Sequence, residues 1–163
     1  MVQKRETSDA RLDLVLTRNL EVPRALMWKA WTEPKHLKKW FTPVPWVTTE
    51  CMIELRPGGE FRTVMRGPDG QINDNAGCYL EITEGHRLVW TTALVGGYRP
   101  AANPFMLMTA IVTFDDHAIG TTYTARVLHN DEASRQKHAD MGFAQGWGAA
   151  LDQLVAAAST FND

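Results

Sequence analysis

Apolar and polar residues alternate from the start of the chain: Leu12, Leu14 and Leu16 are interleaved with Asp13 and Val15. This period of two predicts a strand ending near Leu20. The rhythm then changes. Pro23 suits a first helical turn, and Met27, Ala30 and Trp31 fall on one face at i, i+3/i+4 spacing. Glu33-Pro34 breaks that helix and lets a second begin, with Leu37, Trp40 and Phe41 on one side and Lys35, Lys38 and Lys39 largely on the other. From Trp46 to His129 the pattern is strands and turns. Strands are predicted near Val47 to Leu55, Glu60 to Arg66, Cys78 to Ile82, Arg87 to Thr92, Met106 to Phe114 and Thr121 to His129. Pro57-Gly58-Gly59, Pro68-Asp69-Gly70 and Glu84-Gly85 separate them as turns, and GGYRPAANP reads as a loop. The hairpin around Glu84-Gly85 would set Tyr79 opposite Trp90 and Glu81 opposite Leu88 on one face. The other face would carry Leu80, Ile82 and Val89.

Toward the end, Phe143, Trp147, Leu151, Leu154 and Ala158 recur at helical spacing behind Asp131, a suitable N-cap. One helix from Asp131 to Ala158 would be on the order of 40 Å long at about 1.5 Å per residue. Gly142, Gly146 and Gly148 lie inside it, each costing about 1 kcal/mol relative to alanine. That cost suggests a close backbone approach. One strand, two short helices, six strands and a long helix imply an α+β fold on an antiparallel sheet, in a single domain spanning 1–163 with residues 1–10 as a flexible tail.

Composition changes this picture mainly by exclusion. The stretch Pro23 to Phe41 holds three of the six tryptophans beside several lysines and arginines, which raises the question of a nucleic-acid or membrane surface. A net charge of −2 provides no global field for phosphate backbones or anionic lipid, so nucleic acid is set aside. No run of roughly twenty apolar residues exists to span a membrane, and the polar N-terminus does not read as a secretory leader. Cys51 and Cys78 lack CxxC spacing and read as reduced thiols of a cytoplasmic protein. The histidines show no metal spacing, and no nucleophile elbow or phosphate loop is present; RPGGEF lies between strands, not at a helix N-terminus. No cofactor is implied.

The opening strand followed by VPRALMWKAWTEPKHLKKWF, the RPGGEF turn, GCYLEI with HRLVWTT, the VTF and GTTYT pair, and GFAQGW near the end resemble, in that order, the START-like, Bet v 1-like superfamily. The branch most similar is that of the C-terminal domain of the activator of Hsp90 ATPase. The resemblance runs from residue 12 to about 155. It implies a helix-grip fold: a curved seven-stranded antiparallel sheet around a long C-terminal helix, closed at one end by two short helices and enclosing a cavity. Superfamily members bind lipids, sterols or polyketide-like compounds, cyclise polyketides, or serve as co-chaperone domains, so the resemblance alone does not fix a function.

Within that frame, Trp40, Phe41 and Trp46 are expected near the cavity entrance, as core packing or as an aromatic wall. Tyr79, Glu81, Leu88 and Trp90 would share the concave face. There Glu81 would anchor a ligand, act as an acid or base, or merely pair with Arg62 or Arg87. Met106 and Met108, on a face with Ala110, Val112 and Phe114, and Met141 beside the Phe143/Trp147 stripe suit an adaptable pocket or an ordinary core. The ligand-binding set is thus Trp40, Trp46, Tyr79, Glu81, Trp90, Met106, Met108 and Met141, with Tyr98 or His129 as further polar groups. The expected role is binding of a small, largely apolar molecule rather than catalysis. Its rivals are docking on a chaperone through an exposed surface and a cyclase- or hydratase-type reaction using Glu81 or a histidine. Homodimerisation is left open.

Overall fold

The computed structural model describes residues 8–161. Most of the tail expected over residues 1–10 therefore lies outside the described residues; what is described of it leads into a turn in which the Asp9 carbonyl accepts from the amides of Leu12 and Asp13. Strand β1 (Asp13–Leu20) follows, with Leu14 and Leu20 buried and Val15 exposed, as its alternation requires. Helix α1 (Arg24–Thr32) begins directly after Pro23 and buries Met27, Ala30 and Trp31. Helix α2 (Pro34–Leu37) is a single turn with Pro34 at its start, so Trp40 and Phe41 lie just beyond it rather than on it.

Five strands come next in sequence: β2 (Val47–Ile53), β3 (Glu60–Arg66), β4 (Ile72–Thr83), β5 (Arg87–Thr91) and the two-residue β6 (Leu94–Val95). β6 pairs with an equally short β7 (Arg99–Pro100), a small ribbon whose second strand lies inside the expected loop. Strands β8 (Thr109–His117) and β9 (Gly120–Leu128) complete a seven-stranded antiparallel sheet in the order β1-β9-β8-β5-β4-β3-β2. β4 is longer than its sequence suggests, because Ile72 to Gly77, rich in Asn, Asp and Gly, pairs with β3 along its whole length. β8 starts later, leaving Met106 and Met108 in the preceding loop.

The hairpin of β4 and β5 departs from the expected register. Tyr79 faces Trp90, but a bulge at Leu80 shifts the pairing so that Glu81 opposes Val89 and Ile82 opposes Leu88. An extra residue reverses which side chains point inward. Ile82 therefore joins the core with Leu88, and Glu81 turns to the outer face.

The C-terminal helix is two helices. α3 (Glu132–Asp140), capped by the Asp131 carboxylate on the Ser134 amide at 2.7 Å, buries none of its residues. α4 (Phe143–Ala157) carries the apolar face, burying Phe143, Ala150, Leu151 and Leu154. Between them Gly142 takes φ 92°, a left-handed conformation open to glycine at little cost. The continuous helix expected from Asp131 to Ala158 is thus broken where the sequence permits it most cheaply.

The other α4 glycines mark no close approach either. A Cβ on Gly146 or Gly148 would meet nothing within 4 Å. Gly146→Ala should therefore stabilise the protein by about 1 kcal/mol through helix propensity. Gly59→Ala, whose Cβ would lie 2.0 Å from the Glu54 carbonyl oxygen, should destabilise it strongly. Thermal denaturation of the two variants checks both signs.

Candidate functional site

Between the inner face of the sheet and α4 lies a cavity of about 560 Å³, within the usual range for small-molecule sites. Its walls come from several elements. α1 contributes Trp31 and the segment after α2 contributes Trp40, Phe41 and Pro43; β3 contributes Phe61, Thr63 and Met65; β4 contributes Asn73 and Asn75; β5 contributes Trp90; and α4 contributes Phe143, Gly146 and Trp147. The loop before β8, with Phe105, Met106 and Met108, faces them.

The aromatic part of the wall is a connected set of edge contacts. Trp31 meets Trp40 and Phe41 at ring-centroid distances of 5.1 and 5.8 Å, and Trp40 meets Phe41 at 5.6 Å, all steeply tilted. Phe41 reaches Phe61 at 5.9 Å, and Phe61 stands edge-on to Trp90 at 5.0 Å while stacking on Tyr79. The Trp40 indole N–H donates to the Ala30 carbonyl at 3.0 Å, which fixes the ring against α1. Gln153 on α4 fastens the following segment: its amide nitrogen donates to the carbonyls of Trp40 and Thr42 at 3.0 and 2.9 Å. Its oxygen accepts from the Val44 amide at 2.9 Å. Across the cavity, the Thr92 hydroxyl bonds the Met106 carbonyl and accepts from the Met108 amide at 2.9 Å, holding the methionine loop to the end of β5.

Of the residues expected to bind a ligand, Trp40, Trp90, Met106, Met108 and Met141 do line the cavity. Met141 sits at the α3–α4 break and is 53% exposed, so it belongs to the mouth rather than the interior. Three do not line it. Trp46 turns away and covers Gly67 at the β3–β4 turn, where its ring would lie 2.9 Å from an added Cβ. Tyr79 is fully buried one layer behind Phe61, its hydroxyl without a hydrogen-bond partner and its acidity suppressed by burial. Glu81 is half exposed on the outer face in an ion pair with Arg87, the plainer of the roles considered for it. Tyr98 is a surface residue whose ring covers Gly58.

His129 is buried but lies outside the cavity wall, and it leads to a group that sequence reasoning missed. Its Nδ1 faces the Leu12 carbonyl at 2.8 Å, and its Nε2 faces His138 Nδ1 at 2.9 Å. A carbonyl only accepts, so His129 Nδ1 carries the proton and, when His129 is neutral, its Nε2 must accept from His138. His138 lines the cavity edge-on to Phe143 at 5.3 Å. Burial, and next the neighbouring His129, lower its pKa to about 4. Also unforeseen were Thr63 and Gln153. Neither carries a sequence signal beyond its place in an alternating strand or on a helix.

No helix among the described residues is long and apolar enough to cross a membrane, and no group of His, Cys, Asp and Glu among them could hold a metal ion. Both cysteines are free thiols, with burial pushing that of Cys51 up to about 11.

Residues 21–159 match the family model described as activator of Hsp90 ATPase homolog 1-like protein. A crystal structure of a Nitrosomonas europaea protein is similar at 48% identity, with 94% of this chain and 97% of that one covered and a TM-score of 0.90. A Rhodobacter sphaeroides protein, 21% identical with 93% and 94% covered, shares the fold at a TM-score of 0.81. So does an AHSA1-like protein of Aeromonas hydrophila, 19% identical with 91% and 93% covered, at 0.70. No curated protein is a match.

Two outcomes follow from this geometry. Gln153→Leu removes three hydrogen bonds to the backbone of 40–44 and should cost about 2–3 kcal/mol, at roughly 1 kcal/mol each, in chemical denaturation. The depressed His138 pKa means that the unfolded chain binds more protons than the folded one between about pH 6.5 and 4. Stability should therefore fall as pH drops through that window. His138→Gln should flatten the slope there, measured as the denaturation midpoint against pH.

Proposed function

We propose that this chain, which belongs to the activator of Hsp90 ATPase homolog 1-like family, binds a small and largely apolar molecule in the cavity between sheet and α4. The observation that carries this reading is the cavity itself: about 560 Å³ of space walled by indole, phenyl and thioether groups. Filling such a volume with side chains would take few substitutions, and close packing is the rule in protein interiors. Gly146, with open space where its side chain would be, keeps the volume free at a cost in helix propensity. The rim residues are fixed by hydrogen bonds from Trp40, Thr92 and Gln153, which pre-shapes the wall and lowers the ordering cost of binding. The methionines of the opposite wall let it adapt to the guest.

The catalytic alternative loses its carboxylate, since Glu81 points away from the cavity. His138 is a weak base with a pKa near 4. Docking on a chaperone has the family description in its favour.

Native mass spectrometry of freshly purified protein should show a fraction carrying an additional small-molecule mass. Gly146→Leu, which places a side chain in the open volume, should fold with near-normal stability and lose that species. A protein that carries no molecule and binds no apolar fluorescent probe would remove the binding reading.

A further inference from the structure

The cavity is apolar on most sides, but one strip of its wall is different. On β3 the alternation puts Phe61, Thr63 and Met65 on the cavity face, with Arg62 and Val64 on the other. Across the ladder, Asn75 is the partner of Thr63, and Asn73 is the partner of Met65. Both asparagines also line the cavity. Thr63 is only 4% exposed. Its hydroxyl, and the amides of Asn73 and Asn75, hydrogen-bond to no other group among the described residues. Thr63 is buried and the two asparagines are partly exposed, and their donors and acceptors are not taken up by the protein. These face the empty volume instead.

The charges of the wall are the second observation. The carboxylate of Asp74 is turned outward and held by both ends of the Arg62 guanidinium, at 2.9 and 2.8 Å. His138 is neutral at ordinary pH. Among the described residues no lysine or arginine lines the cavity. An anionic head would find no counter-ion there, and a cationic head no free carboxylate.

We propose that Thr63, Asn73 and Asn75 form a polar subsite for the neutral hydrogen-bonding end, an amide, carbonyl or hydroxyl, of an otherwise apolar ligand, and that the cavity selects against carboxylates and amines. This rests on the cavity being a binding site, as argued above. Threonine and asparagine together supply donors and acceptors, so they suit a group that needs both. One feature of the wall favours an anion: α4 begins at the cavity without a side-chain cap. A helix terminus offsets only part of what a carboxylate loses on leaving water.

The test uses three probes of one shape: methylbiphenyl, biphenyl carboxamide and biphenyl carboxylate, titrated at neutral pH against the tryptophan fluorescence of the full chain. The carboxamide should bind about tenfold more tightly than the carboxylate. Thr63→Val and Asn75→Leu should each weaken the carboxamide by about three- to tenfold, the usual range for one lost hydrogen bond. Both should leave methylbiphenyl unchanged or tighter, and Thr63→Ser should retain carboxamide affinity, which separates loss of the hydroxyl from damage to the fold. If the carboxylate binds as well as or better than the carboxamide, or if the variants weaken all probes alike, the subsite is overturned while the cavity reading stands. If no probe binds, both fall.

Discussion

The aromatic junction at Phe61 is the constraint on which the rest of the architecture depends. One ring on β3 touches Phe41 from the helical cap, Tyr79 from β4 and Trp90 from β5. The indole pair Trp31 and Trp40 closes the same set from α1 and the segment after α2. Each such pair adds about 0.5–1.5 kcal/mol beyond the area it buries. The arrangement couples the cap to the sheet without passing through the space between sheet and α4. A cavity can persist there because the elements around it are tied to one another along its edge, not across its middle.

Much of this was legible in the chain. Leu14 and Leu20 on β1, Met27, Ala30 and Trp31 on α1, and Phe143, Leu151 and Leu154 on α4 are buried as their periodicities require. The seven-stranded antiparallel sheet also matches the expected fold. What escaped prediction has local causes. A bulge at Leu80 adds one residue to a strand without altering its composition, and that single residue sent Glu81 outward. The strand Ile72–Thr83 opens with Asn, Asp and Gly, residues with little strand propensity, so its pairing comes from its neighbours. The fold implied by the resemblance puts the segment bearing Trp40 and Trp46 at the cavity entrance, yet the turn between them carries Trp46 over Gly67. Gln153 and Thr63 act through position alone, and position is what a sequence conceals.

The electrostatics divide by face. Arg62 with Asp74, Arg87 with Glu81, and Arg18 with Asp152 pair at or near the surface. Exposed pairs of this kind contribute little to stability. Their effect here is on the interior: cations and carboxylates that satisfy one another outside leave the wall of the cavity without a free charged side chain among the described residues. Low dielectric then makes any unpaired charge inside expensive, and neutral dipoles are what the wall offers instead.

Gly142 also divides the energetics of the C-terminal region. α4 buries its apolar face against the sheet, whereas no residue of α3 is fully buried: its anchorage is Ala139 against the core, His138 on His129 and Phe143, and the Arg135 contact to the Asp13 carbonyl. Local opening free energies follow buried contact, so α3 has far less to lose by detaching than any other helix bordering the cavity. The left-handed glycine separates the two helices, so α4 does not depend on α3 for its own hydrogen bonds. The stretch that borders the cavity at Met141 and His138 thereby belongs to the helix with the least buried anchorage, while the rest of the wall is held by aromatic packing.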